Sequence, residues 1–492
     1  MFNPQETTMF NVNLLIAGNS VPASNGSTFE RRNPMSQEVV SRAAAATPAD
    51  AVAAVEAASA AFKNWSQQGP SARRALLLKA AQLLESKTPQ FIEAVCAETG
   101  ATGMWAGFNV HLAAGVLLEA ASLTTQITGE VIPSDVPGSL AMAVRQPAGV
   151  VLGMAPWNAP VILAVRAIAT PLACGNTVVL KASELCPRTH QLIIETLQEA
   201  GFPPGVVNFV TNAPADAAAV VEAMIAHPSV RRVNFTGSTR VGRIIATTCA
   251  KHLKPSVLEL GGKAPLVVLD DADLDAAVNA AAFGAFMNSG QICMSTERII
   301  VAETIADEFV ARLVAKASRL PLGDPRGKDP VVLGSVVDSS TVQRCNALID
   351  DAVAKGAKLL CGGQADSTLM PATLLDHVTA DMAIYRDESF GPVKPIIRVN
   401  GVEEAIACAN DTEYGLSAAV FGRDVARALQ VAGRIESGIC HVNASTVHDE
   451  AQMPFGGVKS SGFGRFGGRA GVNEFTELRW VTVQTTPRHY PF

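Results

Sequence analysis

The chain has 492 residues, 48% of them apolar, and a formal net charge of -6. That length exceeds one ordinary core and suffices for two substantial domains with a smaller appendage. Scattered Lys and Arg argue against a nucleic-acid surface, and nine cysteines without Cys-x-x-Cys pairs or histidine spacing argue against zinc or a disulfide framework. The leading segment, with Glu6, lacks the basic-then-apolar order of a secretory signal, so the expected compartment is the cytoplasm.

Helical spacing of apolar residues and alanines predicts helices over 50–65, where Asp50 is placed to cap, and over 71–86, forming an outer layer. A third helical stretch near 89–98 leads to Trp105, Phe108 and His111, whose aromatic bulk either lines a pocket or simply packs. Residues 124–150 change character, with Gly129, Pro133, Pro137 and Gly138 punctuating alternating segments such as 140–146. This reads as a hairpin or extended arm. A similar segment, 478–484, closes the chain, and the two are expected in one small sheet.

The longest apolar run, 150–165, is interrupted by two prolines, an asparagine and a glycine and closed by Arg166; it reads as strand, turn and buried helix, not as a membrane span. Short apolar strands at 150–154, 177–181, 206–210 and 232–235 alternate with helical segments, which predicts a parallel sheet with helices on its faces. Such sheets bind ligands at the carboxyl ends of their strands. From Lys263 a second alternation begins, with strands at 266–269, 299–301 and 438–442 and helices at 305–318, 341–355 and 402–409, predicting a second α/β domain.

Polar residues follow the strands of the first sheet. Gly237 and Gly242 flank a helix start at which Ser238 and free backbone N–H groups suit a pyrophosphate, although a Ser-capped helix is also common without any ligand. Lys181 and Glu184 suit the hydroxyls of an adenine ribose, or else pair with each other at the surface. Glu259 stands in apolar surroundings before two glycines, as a buried structural carboxyl or as a general base with a raised pKa. Cys293 follows a small-residue helix and Gly290; it is a covalent nucleophile or one more buried thiol.

Taken together, Phe235-Thr-Gly-Ser238, Leu258-Glu-Leu-Gly-Gly-Lys263, Gly290-Gln-Ile-Cys293, Glu388-Ser-Phe-Gly-Pro392 and Pro454-Phe-Gly-Gly-Val-Lys-Ser-Ser-Gly462 resemble the aldehyde dehydrogenase superfamily in order and spacing over nearly the whole chain. The resemblance implies an α/β fold with three parts. These are a Rossmann-like NAD domain (1–123, 151–259 and 449–473), a catalytic domain (260–448) and a β-hairpin oligomerisation arm (124–150 and 474–492) serving a homodimer or homotetramer.

It makes Cys293 the nucleophile, Glu259 the base for the deacylating water, and Asn158 the oxyanion donor together with the Cys293 backbone N–H. Trp157, Lys181, Glu184, Gly237, Ser238 and Gly242 become contacts of NAD, and Glu388 and Phe390 hold its nicotinamide end. The Glu184 carboxylate favours NAD while leaving NADP open, no metal is required, and Glu259 argues against the acyl-CoA-forming members.

For the substrate, Ala159 opens space beside Asn158 that an aromatic ring can enter. Arg166 either meets a phenolic oxygen or acidic substituent or sits in an ion pair. Trp105, Phe108, Ile292, Met294 and Phe455 complete an apolar funnel in the family's geometry. The stretches 70–79 and 474–480 resemble the bacterial salicylaldehyde and vanillin dehydrogenase branch, which implies oxidation of an aromatic aldehyde, of salicylaldehyde, vanillin or benzaldehyde type, to its acid. The alternatives are an aliphatic semialdehyde dehydrogenase and a catalytically silent NAD-binding structural protein.

Overall fold

The segments Val150–Met154, Thr177–Lys181, Val207–Val210, Val230–Thr236 and Ser256–Glu259 are rich in β-branched and apolar residues, and they pair in parallel as the centre of an eight-stranded sheet. A computed structural model describes residues 9–492, so Glu6 and the leading segment lie outside the described residues. Gly462–Phe463 and Leu14–Ile16 join the parallel strands antiparallel at either side, and Asn19–Val21 forms one edge. From Val150–Met154 the chain builds outward in one direction through Thr177–Lys181 and Val207–Val210, then returns to build in the other through Val230–Thr236. The order therefore reverses beside Met154, and the crevice outside the carboxyl ends there is where such sheets take ligands.

A seven-stranded sheet forms the second half, in the order Lys358–Cys361, Thr373–Asp376, Val393–Val399, Arg298–Ala302, Pro265–Val268, Ser417–Phe421 and Ile439–Val442. Three of its inner strands, Thr373–Asp376, Val393–Val399 and Ser417–Phe421, lie outside those expected from the pattern. Lys394 and Pro395 interrupt the apolar run of Val393–Val399, and Ser417–Phe421 is alanine-rich; both strands are buried by tertiary context.

Helix Gly103–Leu123 also escapes periodicity, because it is apolar around much of its circumference. It is long and apolar enough to cross a membrane, yet it packs as a core helix against Pro70–Ser86 and Pro160–Ala173. Thr476–Gln484 pairs antiparallel with Ser139–Pro147 along its whole length, and Glu130–Ile132 adds a third strand. Leu478 and Trp480 on this sheet are 60% and 78% exposed. Val150, grouped with the arm in the sequence, pairs instead with Thr177 and Val230 in the eight-stranded sheet.

Candidate active site

Helix Leu274–Phe286 ends in a turn whose backbone is strained: Asn288, Ser289 and Gly290 take φ values of 50°, 54° and 71° in succession. Only the last is free of cost, so side-chain bonds must hold the other two. Asn288 Nδ2 donates to the Asn158 carbonyl at 3.0 Å and Ser289 Oγ to the Gly334 carbonyl at 3.0 Å. Gln291 Nε2 donates to the Asn288 carbonyl at 3.1 Å, and its Oε1 accepts from the Val337 N–H at 2.9 Å. A Cβ on Gly290 would lie 2.2 Å from the Gly391 carbonyl oxygen, and one on Gly262 would lie 2.4 Å from that of Cys293. The glycines thus let three chain segments close around the cysteine.

Asn158 follows the strand Val150–Met154. Its Nδ2 donates to the Gln291 carbonyl at 3.1 Å, two residues before Cys293, while its own carbonyl accepts from Trp105 Nε1 at 2.8 Å. A primary amide carries two hydrogens, so one remains for a developing oxyanion.

Glu259 ends the strand Ser256–Glu259 and is 1% exposed, with both carboxyl oxygens buried and no hydrogen-bond partner among the described residues. Burial pushes its pKa up to about 8, with the help of Asp449 and against the charges of Arg166 and Arg465 and the nearby Gly457 N–H, which falls outside hydrogen-bond geometry. Burial, followed by the charges of Glu259 and Glu388, likewise holds the Cys293 thiol well above its ordinary value, and Arg166 opposes them.

On the far side, the amino ends of three neighbouring strands meet the carboxyl ends of the first sheet. Glu388 Oε1 accepts from the Gly262 N–H at 2.9 Å, and burial, then the charge of Glu297, raises its pKa to about 7. Phe390 is held at φ 42°, and its ring meets Trp157 edge-on at 5.8 Å.

Beneath this loop lies a cluster of charges that the sequence reading passed over. Glu297 bonds Lys263 at 2.8 Å and Lys394 at 2.5 Å, and it accepts from the Ser389 N–H and Oγ at 2.9 and 2.6 Å. Burial opposes its ionisation, but the two ammonium groups outweigh that and hold its pKa at about 2. Lys263 also donates to the Asp387 carbonyl at 2.7 Å, so the cluster fastens the Glu388 loop to the segment just after Cys293.

The sequence profile of the aldehyde dehydrogenase family matches residues 21–481. The chain belongs to the aldehyde dehydrogenase family. It is 64% identical over 483 residues to a vanillin dehydrogenase of Pseudomonas fluorescens, covering 98% of this chain and 100% of the relative. It is 55% identical over 472 residues to a salicylaldehyde dehydrogenase of Pseudomonas putida, covering 96% and 98%. The crystal structure of a salicylaldehyde dehydrogenase from Pseudomonas putida G7 complexed with salicylaldehyde superimposes with a TM-score of 0.97 at 54% identity, covering 98% of this chain and 100% of that one.

In this aldehyde dehydrogenase the polar residues expected to meet a dinucleotide stand along one edge, where the parallel strands end. Lys181 and Glu184 form an ion pair, and Glu184 Oε1 also accepts from Asn212 Nδ2 at 2.9 Å. Burial opposes ionisation of Glu184, yet Lys181 and Asn212 hold its carboxyl below the usual range. Ser238 is exposed and caps helix Thr239–Lys251, whose first turn faces outward. The donor set fits a dinucleotide: an ionised carboxylate beside an ammonium, a free helix start, and the Trp157 and Phe390 rings at the other end. The two loop glycines have a further reason than close approach of a ligand. A Cβ at Gly237 would strike the Phe235 ring at 2.4 Å, and one at Gly242 the Leu260 side chain at 2.3 Å.

On the substrate side, Trp105, Ala159, Ile292, Met294 and Phe455 fall in one buried apolar cluster, against which Cys293 packs. Phe108 is 42% exposed and stacks on Trp105 with ring centroids 5.5 Å apart. Arg166 is in an ion pair, and a buried one: its Nη2 donates to both oxygens of Asp449 at 2.8 and 2.7 Å. Its guanidinium lies 4.4 Å over the Phe455 ring, and Nη1 is buried without a partner. Asp449 escaped the sequence reading because His448-Asp449-Glu450 looks like a solvated loop.

Proposed function

We propose that this enzyme oxidises an uncharged aromatic aldehyde to its carboxylic acid with NAD, through a thioester on Cys293. The observation that carries the reading is a cysteine within electrostatic reach of a buried carboxyl, Glu259, that has no hydrogen-bond partner among the described residues, the cysteine packing against the apolar cluster that contains Trp105 and Phe455. Vanillin, salicylaldehyde and benzaldehyde dehydrogenases among the relatives support the aromatic class.

The Cys293 sulfur attacks the aldehyde carbon, and the oxyanion that forms takes hydrogen bonds from Asn158 Nδ2 and the Cys293 N–H. The thiol proton passes to water, a loss that the charge of Arg166 eases and those of Glu259, Glu388 and Asp449 oppose. NAD, when bound, supplies the hydride acceptor; Lys181, Glu184 and the Ser238 turn would hold its adenosine and phosphates, and Trp157, Glu388 and Phe390 its nicotinamide end. Glu259 then takes a proton from the water that attacks the thioester, which releases the acid and restores the thiol. The ionised form of this carboxyl, whose share grows as pH rises toward about 8, is the base, and its lack of partners leaves both oxygens to water.

The ionised Glu184 repels a 2'-phosphate and so favours NAD over NADP, with Lys181 offsetting part of that repulsion. Of the domain assignments, 151–259 carries the cofactor and 260–448 the nucleophile. The arm, with Trp480 and Leu478 outward, serves a homodimer or homotetramer. The nine free thiols suit a reducing cytoplasm.

Steady-state rates on salicylaldehyde, vanillin, benzaldehyde and succinate semialdehyde with NAD and with NADP test the reading. It expects the aromatic compounds with NAD to have the highest kcat/KM, and a preference for the semialdehyde would overturn it.

A further inference from the structure

Arg166 and Asp449 are 5% exposed and in a 9% exposed side chain, respectively, and they come from different segments: the helix Pro160–Ala173 and the loop leading to Phe455. Arg166 lies seven residues after Ala159, the residue that precedes the helix, and its charge acts on the Cys293 thiol, so the guanidinium stands within electrostatic reach of the nucleophile. Both oxygens of Asp449 accept from Nη2 of that guanidinium, its face is covered by Phe455, and Nη1 is buried with no partner among the described residues. A buried arginine by itself would be a strong carboxylate receptor. Paired, it adds no net charge, and an incoming carboxylate would also meet that of Asp449.

We infer that Asp449 sets the charge class of the substrate: by neutralising Arg166 it leaves the buried N–H groups of Nη1 for an uncharged oxygen and turns away aldehydes that carry a carboxylate. A phenolic, methoxy or carbonyl oxygen accepts from Nη1 without disturbing the pair. The inference rests on the reading that the aldehyde enters between Trp105 and Phe455. Asp449 acts through Arg166 and so is a specificity residue, outside the bond-making steps.

The test compares kcat/KM on 3- and 4-carboxybenzaldehyde with that on benzaldehyde in the wild-type holoenzyme, Asp449→Asn, Arg166→Met and the double variant Arg166→Met/Asp449→Met. Using the ratio cancels any change at Glu259 or Cys293, which act on every aldehyde alike. Asp449→Asn is isosteric and unmasks the arginine, so the carboxylate-to-neutral ratio rises by about tenfold or more. Arg166→Met leaves a lone Asp449 and lowers the ratio, and the double variant returns it to within about threefold of wild type, since both charges leave together.

An unchanged ratio in folded Asp449→Asn overturns the inference. Should that variant fail to fold, an unchanged ratio in Arg166→Met does so. A wild type that prefers an uncharged aliphatic aldehyde such as hexanal to benzaldehyde would instead defeat the aromatic reading, and the shift in ratio between variants would still report on Asp449.

Discussion

Glu259 and Glu297 are both 1% exposed, and both stand within reach of cations, yet they are pushed in opposite directions. Glu297 is bonded to Lys263, Lys394 and Ser389 and titrates at about 2, whereas Glu259 has no bonded partner and titrates at about 8. The cations near Glu259 do not touch it: Arg166 is occupied by Asp449, and Arg465 Nη1 by the Gly457 and Gly464 carbonyls. A buried carboxyl that is fully bonded is frozen as a charge and serves as scaffold. One left unbonded keeps its proton available and serves as a reagent.

The largest effect expected is on the reagent side. Cys293→Ala removes the nucleophile and lowers turnover on the order of 10⁴-fold or more while the fold persists, as read by NADH absorbance and circular dichroism. On the scaffold side, Glu297→Gln leaves two buried ammonium groups facing a neutral amide. It costs about 3–5 kcal/mol of stability and raises KM for NAD by loosening the Glu388 loop, measured by thermal unfolding and cofactor titration. Asn158→Ala removes the oxyanion donor and lowers kcat by about 10²–10³-fold, with little change in aldehyde KM.

The smallest effect sharpens the contrast most. Folded Glu259 keeps a proton that the unfolded chain releases above its ordinary pKa of 4.5, so wild-type stability falls as pH rises from there toward about 8. Glu259→Gln has no proton to lose. It raises the apparent Tm by about 2–4 °C at pH 8 and by less at pH 5, the opposite sign to Glu297→Gln.

Much of this was legible from the residues. The strands at 150–154, 177–181, 206–210 and 232–235 announce themselves by β-branched runs between turn residues, and the Gly290 to Cys293 turn by its glycine and its resemblance to a family, whereas the strand Ser256–Glu259 does not. The scaffold cluster was not, because Lys263, Glu297 and Lys394 look like surface charges until the sheet order sets the starts of their three strands side by side. Nor was the strain at Asn288, Ser289 and Phe390, which depends on bonds to distant loops. Arg166 read equally as ion pair or substrate contact, and the structure makes the pair while leaving one nitrogen over.

The central claim is that Glu259 acts after hydride transfer, on a thioester already formed. Rapid mixing of Glu259→Gln with NAD and benzaldehyde tests it directly. A burst of NADH equal to the number of active sites, followed by turnover slowed about 10²–10⁴-fold, is the predicted result. A variant with no burst and an equally slow first turnover would contradict it by placing the carboxyl before hydride transfer, and wild-type steady-state turnover would remove Glu259 from the chemistry altogether.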